Sequence, residues 1–175
     1  MIAIREGTPA DAHGIASVQV RGWHTTYKGI VPDEFLSKMS IDVQEKRQKE
    51  GFIANKRKQR LFVAENENDE IVGYIIGGEN RYSDEYPDIS GELYAIYILE
   101  NVQYGGLGKR LVYTLVEWLR ENDFSNMLVW VLAENSAIQF YKKLGADYLG
   151  RKRLEISNKS LDEHVYVWDT FNRFD

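Results

Sequence analysis

The sequence predicts an α/β (α+β) domain, a mixed, mostly antiparallel sheet of about seven strands flanked by helices. Three observations lead there. Leu107, Leu111, Leu115 and Leu119 recur every fourth residue with Val112, Val116 and Trp118 beside them, the stripe of an amphipathic helix. RLFVAEN with EIVGYIIGGEN, and LGRKRLEIS with HVYVWDT, are branched and aromatic runs joined by the turn-like ENDE and NKS, the pattern of two hairpins. ELYAIYILE and NMLVWVLAE lie on either side of the leucine helix and read as apolar strands.

In chain order, IAIRE is a short opening strand. Thr8, Pro9 and Asp11 then supply an N-cap, a first helical position and a capping-box acid. The helix they start carries Ile15, Val18 and Trp23 on its apolar side and is expected to end near Gly29. Pro32 opens a second short helix through Phe35, Leu36 and Met39, and the polar run from Asp42 to Lys58 reads as a third. The first hairpin follows, then a polar loop, RYSDEYPDIS, at residues 81–90. After the leucine helix and its flanking strands, NSAIQFYKKLG is a short helix stopped at Gly145, and the second hairpin closes the chain.

At 175 residues the chain is read as a single domain over residues 1–175, without repeats or linkers. With 43% hydrophobic and 28% charged residues it has an ordinary globular composition, and no apolar run approaches the roughly 20 residues that span a bilayer. The first residues lack the basic start and apolar stretch of a secretion signal, so the cytoplasm is the expected compartment. The absence of cysteine excludes disulfides, thiolate metal sites and a cysteine acyl-enzyme. His13, His24 and His164 have no ligand spacing, so no metal is expected. A net charge of −5 disfavours nucleic acid as a partner.

One stretch begins its helix badly. QYGGLGKRL puts glycines, each costing about 1 kcal/mol against alanine in a helix, and the cations Lys109 and Arg110 at the positive end of the macrodipole. A strand, a glycine turn and a helix together make a nest of N–H groups, and a ligand with several negative charges would account for glycines and cations alike. The nucleotide-triphosphate loop fails because Arg110 stands where Ser or Thr is needed. A dinucleotide turn fails because Leu111 replaces its third glycine and Glu134, the nearest acid, lies too far on. An oxidoreductase is therefore disfavoured.

Gln103, Gly106 and Gly108, in that turn between strand and helix, resemble the acetyl-CoA signature of the GCN5-related N-acetyltransferase (GNAT) family. A second stretch, Asn135 to Gly145, is similar to the family's helix with an Asn near its start and an FYxxLG end, and residues 4–27 resemble its first strand and helices. Two details depart from the pattern. Asn135 and Tyr141 are one residue closer than in many members, and Ala146 replaces a frequent Phe.

The resemblance implies a GNAT fold, whose twisted sheet has a splayed strand pair that holds acetyl-CoA. It places the pantetheine arm along Ile96, Tyr97 and Ile98, and the pyrophosphate at the amides of Gln103, Tyr104, Gly105, Gly106, Leu107 and Gly108, with Lys109 near the outer phosphates and Asn135 beside the arm. It makes Tyr141, also next to the cofactor sulfur, the general acid, and Glu92 the candidate base, with Tyr94 and Glu134 as alternatives. The strand amide of Ile96 or Tyr97 would polarise the thioester. Trp23 and Tyr27 on the first helical segment, with the acidic loop, would border the acceptor. The function implied is acetyl transfer from acetyl-CoA to a primary amine of a small molecule, peptide or protein. The alternative is a non-catalytic acyl-CoA sensor of the same fold. No membrane partner is expected, and a homodimer is left open.

Overall fold

The computed structural model describes residues 1–54 and 58–175. Its strands are β1 (Ala3–Glu6), β2 (Gln59–Glu65), β3 (Ile71–Glu79), β4 (Gly91–Ile98), β5 (Met127–Leu132), β6 (Asp147–Ile156) and β7 (Lys159–Trp168). Its helices are α1 (Ala12–Thr26), α2 (Asp33–Ser37), α3 (Ile41–Ala54), α4 (Leu107–Glu121) and α5 (Ala137–Lys143). The strands form one sheet in the order β1-β2-β3-β4-β5-β7-β6. Every neighbouring pair is antiparallel except β4 and β5. Both hairpins stand where the turn residues put them, while β4 and β5 are parallel because α4 carries the chain back between them. Among the described residues no helix is long and apolar enough to cross a membrane.

The two principal helices cover opposite faces of the sheet. Tyr97 of β4 pairs with Tyr74 of β3 and lies beneath Gly22 of α1, where an added Cβ would stand 2.7 Å from the phenol ring. Leu115 of α4 lies against Gly77, an odd number of residues from Tyr74 along β3, so it is on the other side. The leucine stripe is the centre of the core, with Leu111, Val112, Leu115 and Leu119 wholly buried.

Three boundaries differ from expectation. α1 ends at Thr26 rather than near Gly29, because the Tyr27 carbonyl accepts from the N–H groups of Ile30 and Val31 and the tight turn sends Val31 into the core. The helix expected from Asp42 to Lys58 is described over Ile41–Ala54, and residues 55–57 lie outside the described residues. The capping acid Asp11 accepts from the Thr8 N–H at 2.7 Å, but Pro9–Asp11 is a 3-10 turn and α1 begins after it.

Asp11 has a second task. Arg5 of β1 donates to both its oxygens at 2.8 and 2.9 Å and to Glu65 of β2 at 2.8 and 3.0 Å, tying the first strand, the second strand and the start of α1 together. The guanidinium holds the Asp11 carboxyl down at about 2. A carboxyl so depressed adds stability above its unfolded value of about 4, and that stability is lost as pH falls towards 2. Denaturant titrations between pH 5 and pH 2 should therefore show a steep acid limb in the wild type and a shallower one in Arg5→Met. Identical limbs would show that Arg5 does not hold Asp11.

Candidate active site

β4 and β5 pair at three positions only, Gly91 with Met127, Glu92 with Leu128 and Leu93 with Val129. Further on, β5 follows β7 as far as Leu132 against Glu163, and β4 follows β3 as far as Ile98 against Gly73. Ala95 faces Ile76 and Leu93 faces Gly77, so Tyr94 is the extra residue of a bulge that bends β4 where the separation starts. Polar groups of successive residues in an antiparallel strand point to alternate edges. Leu99 donates its N–H to Val72 of β3 at 2.9 Å, so Tyr97 also turns its main chain to β3, and Ile96 and Ile98 turn theirs to the gap. Gln103 agrees with this, since its Nε2 donates to the Ile98 carbonyl at 2.9 Å. Of the three strand residues expected beside the gap, Tyr97 faces it with its side chain instead of its amide.

The gap opens into a cavity of 420 Å³, within the range of small-molecule sites. Residues 93–98 and 129–131 form its two long walls. Gln103, Tyr104, Gly106, Gly108 and Lys109 line one end, and Tyr27, Asn135, Phe140 and Tyr141 also reach it.

At the turn, Gly106 is the N-cap of α4 with φ 80°, and Tyr104 has φ 65° with its ring fully exposed. Residues in this left-handed region point successive N–H groups towards one spot. Among the described residues, no main-chain carbonyl accepts from the N–H groups of residues 104–109; the first helical bond is Arg110 to Gly106 at 3.1 Å. The two cations separate in role. Lys109 lines the cavity, whereas the Arg110 guanidinium donates to the Ile2 carbonyl at 2.9 Å and braces the chain before β1.

Asn135 caps α5 by accepting the Ala137 N–H at 2.8 Å, and its Nδ2 lies 3.5 Å from the Tyr27 hydroxyl. Tyr141 is buried on α5, its ring edge-on to Trp168 at 5.9 Å and 5.5 Å from Phe140. Around the cavity Tyr27, Tyr97 and Tyr141 come together, with the Tyr74 ring tilted against that of Tyr97 at 5.8 Å. Burial pushes all four phenols above their ordinary value, and for Tyr74, Tyr97 and Tyr141 the neighbouring Tyr27 adds to the effect. Of these, Tyr27, Tyr97 and Tyr141 line the site as neutral phenols.

On the acceptor side the structure divides the expected residues. Tyr27 lines the cavity, but Trp23 packs away from it, 4.4 Å from Tyr27 and 5.8 Å from Phe35. Glu92 is fully buried and does not line the cavity, and its carboxylate accepts from the Arg81 N–H at 2.9 Å, Nε at 3.1 Å and Nη2 at 2.6 Å. A carboxylate held by three donor groups anchors the loop at residues 81–90. Tyr94 lines the cavity and donates its hydroxyl to the Glu79 carbonyl at 2.5 Å, while Glu134 is exposed.

Three residues that sequence reasoning passed over stand beside Glu92. Trp130 of β5 lines the cavity and packs tilted against Tyr82 of the loop, their ring centres 5.1 Å apart. Lys152 of β6 places its ammonium 3.9 Å from the Trp130 ring centre and 4.1 Å from that of Tyr82. Glu163 of β7, 3.7 Å from that ammonium, is held above the usual carboxylate range, first by burial and also by nearby Glu92, against the pull of Lys152 and Arg81. The available signal was the single tryptophan inside an otherwise aliphatic strand, MLVWVL.

The model of the acetyltransferase (GNAT) family matches residues 22–146. The uncharacterised N-acetyltransferase YuaI of Bacillus subtilis strain 168 is 33% identical over 168 residues, 96% of this chain and 93% of that protein. PaiA N-acetyltransferase of Thermoplasma acidophilum, solved with coenzyme A, superposes with a TM-score of 0.68 at 18% identity, over 94% of this chain and 98% of its own. YncA of Salmonella typhimurium, solved with its cofactor acetyl-CoA, gives 0.69 at 18% identity, over 96% and 93%. At these identities the solved structures speak for the fold.

The tyrosine cluster is open to titration. Neutral phenols with raised values contribute stability that is complete below the ordinary value of about 10 and is lost as pH rises through the folded value. Ultraviolet titration of the folded protein to about pH 11 should therefore show tyrosinate from fewer than its 11 tyrosines, with Tyr27, Tyr74, Tyr97 and Tyr141 among those missing. Tyr141→Phe should reduce the missing set by one. Ionisation of every phenol by that pH with the fold intact would contradict the burial argument.

Proposed function

The chain belongs to the acetyltransferase (GNAT) family, and on that premise we propose that it moves the acetyl group of acetyl-CoA to a primary amine by direct attack, with Tyr141 as general acid. The observation that carries this reading is the row of main-chain amides at residues 104–109, without carbonyl partners among the described residues, at one end of the cavity. Converging N–H groups at a helix N-terminus suit a pyrophosphate, and Lys109 adds a point charge beside them. The gap-facing N–H groups of Ile96 and Ile98 would donate to, and their C=O groups accept from, the amides of the pantetheine arm, completing on a ligand the ladder that β5 leaves open. Of the two amides considered for polarising the thioester carbonyl, that of Ile96 has the orientation for it.

The chemistry then needs few groups. The amine lone pair forms the N–C bond, the C–S bond breaks with its electrons on sulfur, and the Tyr141 hydroxyl supplies the proton for the departing thiolate. The ammonium formed on attack gives up a proton towards the open end of the cleft, and one returns to the Tyr141 oxygen from solvent. Burial keeps the Tyr141 phenol protonated, so it enters the reaction carrying the proton that the departing thiolate takes up. Glu92 enters this scheme as the anion that fixes Arg81 and the loop.

Calorimetry with purified protein should show saturable binding of acetyl-CoA, and no heat at millimolar ligand would remove the proposal. Gly106→Ala forces a left-handed backbone on an L side chain at a cost of about 1–2 kcal/mol, and acetyl-CoA affinity should fall roughly tenfold. Tyr141→Phe should lower kcat by about 10²-fold with cofactor affinity changed less than about twofold. Unchanged turnover would return Tyr141 to a packing role.

A further inference from the structure

Beside the cavity lie two acid–base pairs of different tightness. Arg81 and Glu92 are locked by three hydrogen bonds. Lys152 and Glu163 are not, since 3.7 Å exceeds the roughly 2.7–2.9 Å of a charge-assisted hydrogen bond. The Lys152 ammonium also lies over two aromatic faces, both well inside the distance of about 6 Å at which a cation over a ring is attracted. Trp130, one of those rings, is also a wall of the cavity.

We propose that the rings of Tyr82 and Trp130 over the Glu163 carboxylate form an ammonium-binding subsite for the acceptor, and that Lys152 is its resident occupant, displaced when a cationic acceptor enters. The proposal rests on the acetyltransferase reading of the cavity, and it names the acceptor class: an alkylamine that carries a cationic ammonium, as a diamine, a polyamine or a lysine-like side chain does. Charge balance decides the class. Glu92 and Glu163 are matched by Arg81 and Lys152, so withdrawing Lys152 leaves one carboxylate, its side chain 17% exposed, in need of a positive charge. Lys152 is able to withdraw, because it sits on β6, at the edge of the sheet, on a flexible stem that is 31% exposed. Tyr86, 6.1 Å from Trp130, extends the aromatic surface along the loop. A cation gains both ring-face attraction and ion pairing there, a neutral group gains neither, and an anion is repelled by the carboxylate.

The test empties the box and offers it the missing group. Lys152→Ala and the stem-preserving Lys152→Met are titrated calorimetrically with n-butylammonium, n-butanol and butyrate. The expected result is that n-butylammonium binds Lys152→Ala at least tenfold more tightly than wild type, that n-butanol and butyrate do not, and that adding Glu163→Gln abolishes the gain. Lys152→Met, whose stem still covers the rings, should show a smaller gain. With 1,5-diaminopentane as acceptor, Lys152→Ala should lower KM with little change in kcat. Equal n-butylammonium affinity in wild type and Lys152→Ala overturns the proposal, as does butyrate binding to the wild type that vanishes in Lys152→Ala, which would make Lys152 an anion contact. Acetyl-CoA titration of the same proteins keeps the readings apart. Retained acetyl-CoA heat with an inert box sinks only the subsite, whereas loss of that heat in the wild type sinks the transferase reading.

Discussion

The break in the ladder between β4 and β5 is the constraint on which the rest of the structure depends. A parallel pair that ends after Leu93 and Val129 leaves two strand edges with polar groups turned towards each other across a space. Such edges are costly inside a protein unless something satisfies them. The fold keeps them apart by committing each strand to its other neighbour and by placing the Tyr94 bulge where they diverge. The space is not filled by side chains from the core, because α4 and α1 lie on opposite faces and the gap runs between them.

Most of the candidate site residues gather at the ends and sides of that gap. At one end the chain leaves β4 through a turn whose left-handed residues present amides to the space before α4 begins. Along the side, α5 brings Tyr141 and Asn135 inward, and Gly22 lets α1 come close enough for Tyr97 and Tyr27 to meet them. The phenols are buried and so remain neutral hydrogen-bond donors. On the side of the loop at residues 81–90 the environment changes to charges in balanced pairs beneath aromatic rings. One side of the cleft is thus lined by neutral phenols and the other by paired charges.

The candidate site was legible wherever its residues were close in sequence. The strand, glycine turn and helix at residues 91–121, and the run from Asn135 to Gly145, stand in the structure where the sequence places them, because turn chemistry and helical period are properties of adjacent residues. Glu92 is the opposite case. Its position at the start of β4 is a local fact, but its engagement by Arg81 depends on how the loop at residues 81–90 folds back. Arg110 is similar, for its carbonyl partner at Ile2 lies at the far end of the chain. Trp23 has helical spacing that suits either a cleft or a packing face, and contact with Phe35 of α2 decides for packing.

The sequence by itself therefore determined the order of strands and helices, the amide nest and the tyrosine on α5, because each is written in short-range spacing and in the backbone freedom of particular residues. Only the tertiary structure decided which carboxylate is tied and which is not, which strand amides face the gap, and that Lys152 stands over Trp130 and Tyr82. Those outcomes join residues far apart in the chain, and electrostatic and ring contacts act through space, with no dependence on the number of residues between the partners.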